Sequence, residues 1–174
     1  ITVNVTDAND VAPVFTSGAT FSVAENQLSI GTVTATDEDS ESITFTVSGS
    51  ELAITSAGVL SFKVAPDYET KAMYTVTVTA SDGTNETSQS VAIAIANVND
   101  NSPIFTSSSS FSVSENQTSI GTVSATDLDG DILSYSISGT DASSVNINAS
   151  TGALDFKTAP DYETQGSYSM IITA

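Results

Sequence analysis

Acidic side chains recur at a fixed spacing along this chain, and they are the residues whose types and positions could do chemistry. The pairs that lie ninety positions apart are Glu25 with Glu115, Asp37 with Asp127, and Asp39 with Asp129. Carboxylate, amide and carbonyl oxygens are the ligands of Ca²⁺, which takes about six to eight of them at roughly 2.3–2.6 Å. Donors that recur in step with a repeat predict metal binding where successive repeats meet.

The same spacing relates whole stretches of sequence. Segment 95–105 is a near-copy of segment 5–15, and the pair Asp67 and Glu69 returns as Asp161 and Glu163 after a short insertion. The second copy ends at Ala174, the counterpart of Ala80, so it contains no counterpart of 81–96. The predicted domains are the last strand and linker of a preceding repeat at 1–13, a first repeat at 14–97, a calcium-binding linker at 98–103 and an incomplete second repeat at 104–174.

The elements that must position these side chains are β-strands. Apolar residues alternate with threonine from Tyr74 to Ala80, a period of two that is typical of strands with one buried face, and no segment sustains a helical period. Turn signals at short intervals, such as Ser-Asp-Gly-Thr-Asn at 81–85, favour a small antiparallel sandwich of about seven strands per copy. The strands of the first copy are predicted near 14–24, 30–36, 42–48, 51–55, 58–63, 72–80 and 87–97.

Composition excludes several classes of function. The net charge of -18 repels phosphate backbones and anionic lipid, so neither nucleic acid nor direct membrane insertion is expected. The chain has no histidine, cysteine or arginine, and a serine nucleophile would therefore lack its usual base. Asp67 and Glu69 could serve glycoside hydrolysis, but they are needed as metal ligands. We expect that the chain is not an enzyme.

Oxygen donors from both copies and from the linker are expected at the junction between the repeats, in a number sufficient for Ca²⁺. They are Glu25, Asp67 and Glu69 from the first copy, Asn97, Asn99, Asp100 and Asn101 from the linker, and Asp127 and Asp129 from the second copy. Carboxylates ~4 Å apart repel by about 1 kcal/mol in water, and by several times more where they are partly buried. The cluster is therefore expected to be loose without cations.

These motifs, in this order and spacing, resemble cadherin repeats. The matching phrases are Glu-Asn at 25–26, Asp-Tyr-Glu at 67–69, Ala-Ser-Asp at 80–82, Asn-Val-Asn-Asp-Asn at 97–101 and Asp-x-Asp at 127–129. The resemblance covers the whole chain. It implies an all-β fold of two tandem Greek-key β-sandwich domains, the second lacking its last strand, with calcium bound between neighbouring cadherin-like repeats.

The resemblance also implies ligand sets. For the first two ions they are Glu25, Asp67, Glu69 and Asp100, with Asn97 and the Val98 carbonyl. A further ion would take Asn99, the Asn101 carbonyl, Asp127 and Asp129, but the counterpart of Asp82 lies beyond Ala174, so this site is expected to be weakened or lost. Asn9, the Val11 carbonyl, Asp37, Asp39 and Asp82 form a complete set near the amino end. Glu115, Asp161 and Glu163 repeat the first set in the second copy.

Several positions depart from the family pattern. Tyr68 and Tyr162 stand where many cadherins have arginine, and Asn97 stands where aspartate is usual. These departures are expected to lower the negative charge of the site and its affinity for calcium. The chain has no tryptophan, so strand exchange through an anchored tryptophan has no support. Its richness in alanine, serine and threonine looks more like the cadherin-like repeats of large bacterial surface proteins. The Asp127–Asp131 stretch also resembles the start of an EF-hand loop, but no glutamate stands at the twelfth position.

The leading functional hypothesis is an extracellular, calcium-rigidified segment of a cell-surface adhesin with a membrane-anchored parent, acting in cell adhesion as a stiff extender. Its partners would be calcium, neighbouring repeats and a cell-surface protein or polysaccharide. One alternative is a polysaccharide-binding module, for which Tyr68 and Tyr162 are the available aromatic residues. Another is a filament subunit that donates residues 1–6, which align with 91–96, to the open sheet edge of the next molecule.

Overall fold

The structure is a computed structural model that describes residues 1–6, 8–39 and 42–174. The chain divides into two compact units, Ile1–Val98 and Asn99–Ala174. The regular elements of the described residues are β-strands and one short 3₁₀ turn at Ala142–Ser144. Among these residues there is no helix of the length and apolar character needed to cross a membrane.

The first unit is a β-sandwich. Its strands are β1 (Val14–Phe15), β2 (Thr20–Ala24), β3 (Ser29–Thr32), β4 (Ala35–Thr36), β5 (Thr44–Val47), β6 (Leu52–Ile54), β7 (Val59–Phe62), β8 (Met73–Ser81) and β9 (Glu86–Ala96). One sheet has the order β2-β9-β8-β5 and the other β3-β7-β6, while β1 pairs with β4. The pairing of β2 with β9 is parallel, and the remaining pairs of this unit are antiparallel.

The core of this unit follows from the alternation seen in the sequence. Tyr74, Val76 and Val78 of β8 are buried while the threonines between them are exposed. Val91, Ile93 and Ile95 of β9 are also buried, and they belong to one apolar cluster with residues of the second sheet, namely Leu52, Leu60 and Phe62. The sequence prediction of an all-β sandwich is confirmed.

Two predicted strands are each broken in the middle because the chain changes partner there. Segment 14–24 divides into β1, which pairs with β4, and β2, which pairs with β9. Segment 30–36 divides into β3, which pairs with β7, and β4. The N–H groups of Thr16 and Ser17 both donate to the Thr34 carbonyl, at 2.8 and 3.2 Å, and this marks the end of the β1–β4 ladder.

The second unit repeats this plan in a smaller form. Its strands are β10 (Ile104–Phe105), β11 (Ser119–Thr122), β12 (Ala125–Thr126), β13 (Ser136–Ser138), β14 (Val145–Ile147), β15 (Ala153–Phe156) and β16 (Ile171–Thr173). One sheet has the order β11-β15-β14, and the remaining strands form the pairs β13-β16 and β10-β12. The buried core residues are Val123, Tyr135, Val145, Leu154 and Phe156.

The second unit contains no counterpart of β9 among its described residues, in agreement with the sequence. Segments 110–114 and 167–170, the counterparts of β2 and of the first half of β8, are not in strands. In the first unit both of these segments pair with β9. Backbone groups form a strand when they find ladder partners, and these two segments have no such partner among the described residues.

Candidate metal centres

A left-handed turn after β2 sets the position of Glu25. Asn26 has φ 63°, a conformation that asparagine tolerates better than most residues, and its N–H donates to the Pro66 carbonyl at 2.9 Å. The second unit repeats the turn at Asn116, which has φ 64° and donates to the Pro160 carbonyl at 3.0 Å. The Glu-Asn phrase therefore places one glutamate at the same point of each unit.

Glu25 is a buried carboxylate, only 2% exposed. Its Oε2 accepts the Tyr68 N–H and its Oε1 accepts the Val98 N–H, each at 2.8 Å. A carboxylate oxygen of Glu69 lies within 4.8 Å of one from Glu25. The first unit thus holds two neighbouring carboxylates, of which one is deeply buried, and this arrangement favours a bound cation.

The Asp67 carboxylate forms its hydrogen bonds with Thr70, three residues further along the chain. Its carboxylate accepts the Thr70 hydroxyl at 2.8 Å and the Thr70 N–H at 3.2 Å. These hydrogen bonds, that of the hydroxyl first, lower the pKa of Asp67. Asp67 is not part of the close carboxylate group among the described residues, so the structure brings together Glu25 and Glu69 but not all three.

The linker residues at the start of the second unit are held by Asp129. Its Oδ2 accepts the N–H groups of Asp100 at 3.1 Å and of Asn101 at 2.8 Å. The Asn101 side-chain amide donates to Asp129 Oδ1 at 3.0 Å and to Asp100 Oδ1 at 2.8 Å. Asp127 in turn accepts the Asp129 N–H at 2.9 Å. Predicted ligands from the linker and from the β12–β13 loop are therefore neighbours in this unit.

Asp131 belongs to this group although it was not among the predicted ligands. Carboxylate oxygens of Asp127, Asp129 and Asp131 lie within 4.8 Å of one another, and the Asn99 amide donates to Asp131. The signal is present in the sequence, because Asp131 completes an alternating acidic run with Asp127 and Asp129. Three carboxylates at this separation repel one another unless a cation lies among them.

The set predicted near the amino end is also brought together in the first unit. Asp39 Oδ2 accepts the N–H groups of Asp10 at 3.0 Å and of Val11 at 2.8 Å, and the Asp39 N–H donates to Asp37 Oδ1 at 2.9 Å. The other oxygen of Asp37, Oδ2, is buried and has no hydrogen-bond partner among the described residues. A buried acceptor without a donor is costly, and a cation would satisfy it.

Asn85 connects the remaining members of this set and was missed from the sequence. Its Nδ2 donates to Asn9 Oδ1 at 2.9 Å, to Asp82 Oδ2 at 3.2 Å and to the Val11 carbonyl at 3.3 Å. The Asn85 backbone N–H donates to Asp82 Oδ1 at 2.6 Å and is the main cause of the lowered pKa of Asp82. The Ser-Asp-Gly-Thr-Asn stretch predicted a turn, but not that its last side chain reaches three candidate ligands.

Glu115, Asp161 and Glu163 form a third group, exposed to solvent, with carboxylate oxygens within 4.8 Å of one another. Glu115 accepts the Tyr162 N–H at 3.2 Å, a longer contact than its counterpart in the first unit. The Thr164 hydroxyl is the main cause of the lowered pKa of Asp161. Among the described residues of the second unit, no N–H group takes the place of that of Val98.

The donor groups consist of oxygen ligands alone, which fits Ca²⁺ and not a metal that prefers thiolate or imidazole. Each described unit supplies at least two carboxylates within reach of one another. Asn97, the remaining predicted donor, is exposed immediately after β9.

This chain is similar to a bacterial domain family and to cadherin receptors of mammals. A family model described as a bacterial Ig domain matches residues 9–94. Cadherin EGF LAG seven-pass G-type receptor 2 of Homo sapiens is 32% identical over 194 aligned residues, which include 100% of this chain and 7% of the receptor. Receptor 1 of the same name from Mus musculus is 32% identical over 193 residues, with 100% and 6% covered. The chain thus spans less than a tenth of these curated relatives.

The chain is also similar to solved structures of cadherin and protocadherin fragments. Mouse cadherin-23 EC22-24 matches with a TM-score of 0.79 and 28% identity, over 91% of this chain and 57% of that one. Human protocadherin-24 EC1-2 matches with a TM-score of 0.75 over 96% of this chain and 94% of that one. Its identity is 19%, so this second likeness concerns the fold alone.

Proposed function

Since this chain is a tandem pair of cadherin-like repeats, we propose that it is an extracellular segment of a cell-surface adhesion protein, stiffened by calcium. The ligand of the parent, a cell-surface protein or a polysaccharide, is then bound by another part of that protein. These repeats hold the binding part away from the surface. The match to a bacterial Ig domain favours a bacterial surface protein as the parent.

The observation that carries the proposal is the set of prearranged oxygen donors within each unit. In the first unit Glu25 is buried beside Glu69, and Asp37 has a buried oxygen with no donor among the described residues. In the second unit, Asp129 organises the linker and lies beside two further carboxylates. Calcium would offset the repulsion within each group, and these groups contain several of the predicted ligands.

The lysines do not replace calcium in this role. The chain has only three cationic side chains against 21 carboxylates. The ion pair found among the described residues joins Lys71 to Glu51 at 2.7 Å, and Glu51 is not a candidate ligand. The charge of the donor groups must therefore be balanced from solution, and a divalent cation does so most effectively.

The mechanical consequence follows from the chain position of the donors. The predicted ligands of the first ions come from the first unit and from the linker that begins the second. An ion that takes oxygens from both would fix the linker residues relative to the first unit, because breaking that arrangement would require giving up ligands. On this proposal, calcium binding removes the conformational freedom of the linker, and successive repeats then act as a stiff extender.

Small-angle X-ray scattering tests the proposal. With saturating calcium we expect a single extended profile, and in chelator a shorter maximum dimension with a broader distribution of distances. Asp100→Ala removes a predicted shared ligand and should give the chelator profile even with calcium present. Asp155→Ala removes an exposed carboxylate of β15 outside the predicted set and should leave the profile unchanged. Identical profiles with calcium and with chelator would contradict the proposal.

A further inference from the structure

Asn85 is a half-buried residue of the turn between β8 and β9, and its side chain lies among predicted calcium ligands. Its Nδ2 is 2.9 Å from Asn9 Oδ1, 3.2 Å from Asp82 Oδ2 and 3.3 Å from the Val11 carbonyl oxygen. These three acceptors belong to the set predicted near the amino end. We call this the amino-end set, and its members are Asn9, the Val11 carbonyl, Asp37, Asp39 and Asp82.

The carboxylates of the amino-end set each use one oxygen to accept backbone N–H groups. These oxygens are Oδ2 of Asp39, Oδ1 of Asp82 and Oδ1 of Asp37. The second oxygen of Asp37 is buried and has no hydrogen-bond partner among the described residues. One oxygen of each carboxylate, the Asn9 amide oxygen and the Val11 carbonyl oxygen are left for an ion, five in all. Because Ca²⁺ takes about six to eight oxygens, the set has room for a further donor.

The distances from the Asn85 amide to its neighbours are those between two ligands of one ion. Oxygens bound at about 2.3–2.6 Å to the same Ca²⁺ lie roughly 2.8–3.7 Å apart when they are neighbours in a shell of six to eight. The three contacts of Nδ2, from 2.9 to 3.3 Å, fall within this range. They are also normal lengths for N–H···O hydrogen bonds. The end of the Asn85 side chain therefore suits the set both as a donor and as a ligand.

A primary amide can serve in both ways because its two terminal atoms have opposite characters. Nδ2 donates hydrogen bonds and Oδ1 accepts them, and the two atoms fill nearly the same space. Half a turn about the Cβ–Cγ bond exchanges them without moving the backbone. With Nδ2 turned inward the amide ties the oxygens of the set together, and with Oδ1 turned inward it presents one more oxygen to a cation.

We propose that Asn85 is a further calcium ligand of the amino-end set and that its Oδ1 takes the place of Nδ2 when the ion binds. This inference rests on the proposed function, since it requires that the set binds calcium. Without calcium, the Asn85 amide hydrogen-bonds Asn9 and Val11 to Asp82. With calcium, it raises the number of oxygens offered by the described residues to the minimum of about six that the ion takes.

Two substitutions of Asn85 distinguish a ligand from a hydrogen-bond donor. Asn85→Asp keeps an oxygen at the ligand position but removes the donor, whereas Asn85→Ala removes both. In calorimetric titrations of the full chain with calcium, Asn85→Ala should weaken the binding of one ion by at least about tenfold. Asn85→Asp should bind that ion at least as tightly as the unsubstituted chain does. Equally weak binding in both variants would mean that Asn85 acts only as a donor, and would overturn the proposal.

Thr84→Asp in the Asn85→Ala background is the matched control for charge, because it adds a carboxylate on the exposed neighbouring residue. This double variant should bind calcium as weakly as Asn85→Ala alone. Restored binding would show that charge and not ligation matters, and would overturn the proposal. Calcium binding that Asn85→Ala leaves unchanged would overturn this inference alone. An unsubstituted chain that binds no calcium would overturn the proposed function with it.

A crystal structure of the calcium-bound chain tests the inference without any substitution. Asn85 Oδ1 should lie about 2.3–2.6 Å from an ion that also contacts Asp37 and Asp82. A water molecule in that ligand position, with Nδ2 still donating to Asn9, would overturn the proposal.

Discussion

At the scale of single residues, Glu25 and Glu115 occupy equivalent positions in very different surroundings. Glu25 is buried and accepts two backbone N–H groups, while Glu115 is exposed and accepts the Tyr162 N–H at 3.2 Å. Both hydrogen bonds are partly buried, and we expect the loss of each to cost about 1–2 kcal/mol. Glu25→Ala should therefore lower the free energy of unfolding of the first unit by about 2–4 kcal/mol.

Glu115→Ala is the matched control and should lower the free energy of unfolding of the second unit by less than about 1 kcal/mol, since water replaces an exposed acceptor. Urea unfolding in chelator measures both variants without any contribution from bound metal. Equal losses of unfolding free energy in the two variants would mean that the burial of Glu25 does not increase its contribution to stability.

The residue scale also shows what sequence reasoning can identify at a site. Spacing identified Asp37, Asp39 and Asp82, which the structure places in one hydrogen-bonded group with Asn9 and Val11. It missed Asn85, because the contact of an amide with three acceptors depends on how the turn folds back on the chain. That these residues bind calcium stays a prediction.

At the scale of elements, the turn between β6 and β7 depends on Gly58. This residue has φ 83°, and a Cβ built on it would lie 2.1 Å from the Val33 carbonyl oxygen. Gly49 has nearly the same φ of 82° but no atom within 4 Å of a built Cβ. Comparing an alanine substitution at each glycine therefore distinguishes the free-energy cost of backbone strain from that of steric overlap.

We expect Gly49→Ala to cost about 1–2 kcal/mol, the usual penalty for a left-handed alanine. Gly58→Ala should cost about 2–5 kcal/mol, because displacing the Val33 carbonyl adds about 1–3 kcal/mol of packing strain to the left-handed penalty. Thermal unfolding followed by circular dichroism measures both. Indistinguishable midpoints would show that the carbonyl moves aside at no cost.

The strands themselves were largely predictable, and the exceptions have a common cause. Alternation predicted β8 and β9 because each buries one face, with Val78 and Val91 fully covered. The breaks within 14–24 and 30–36 were not predicted, since apolar alternation does not report which strand supplies the backbone partners. Segment 110–114 shows the same limit, for its sequence suits a strand but it has no ladder partner among the described residues.

At the scale of the whole molecule, net charge opposes folding. A charge of -18 on 174 residues gives self-repulsion that is screened over a Debye length of about 30 Å at 0.01 M salt and about 10 Å at 0.1 M. Screening and specific binding relieve this repulsion in different ways. Sodium chloride acts on all the carboxylates together, whereas calcium acts on the groups whose oxygens are already adjacent.

In chelator we therefore expect the melting temperature to rise when sodium chloride increases from about 0.01 to about 0.1 M. Calcium should raise it further at a matched ionic strength, because bound ions stabilise the folded state by mass action. Differential scanning calorimetry measures both effects. Magnesium at the same concentration is the control, since it loses its water reluctantly and needs a stricter geometry. Equal effects of calcium, magnesium and sodium at one ionic strength would mean that screening alone stabilises the fold and that the donor groups bind no ion.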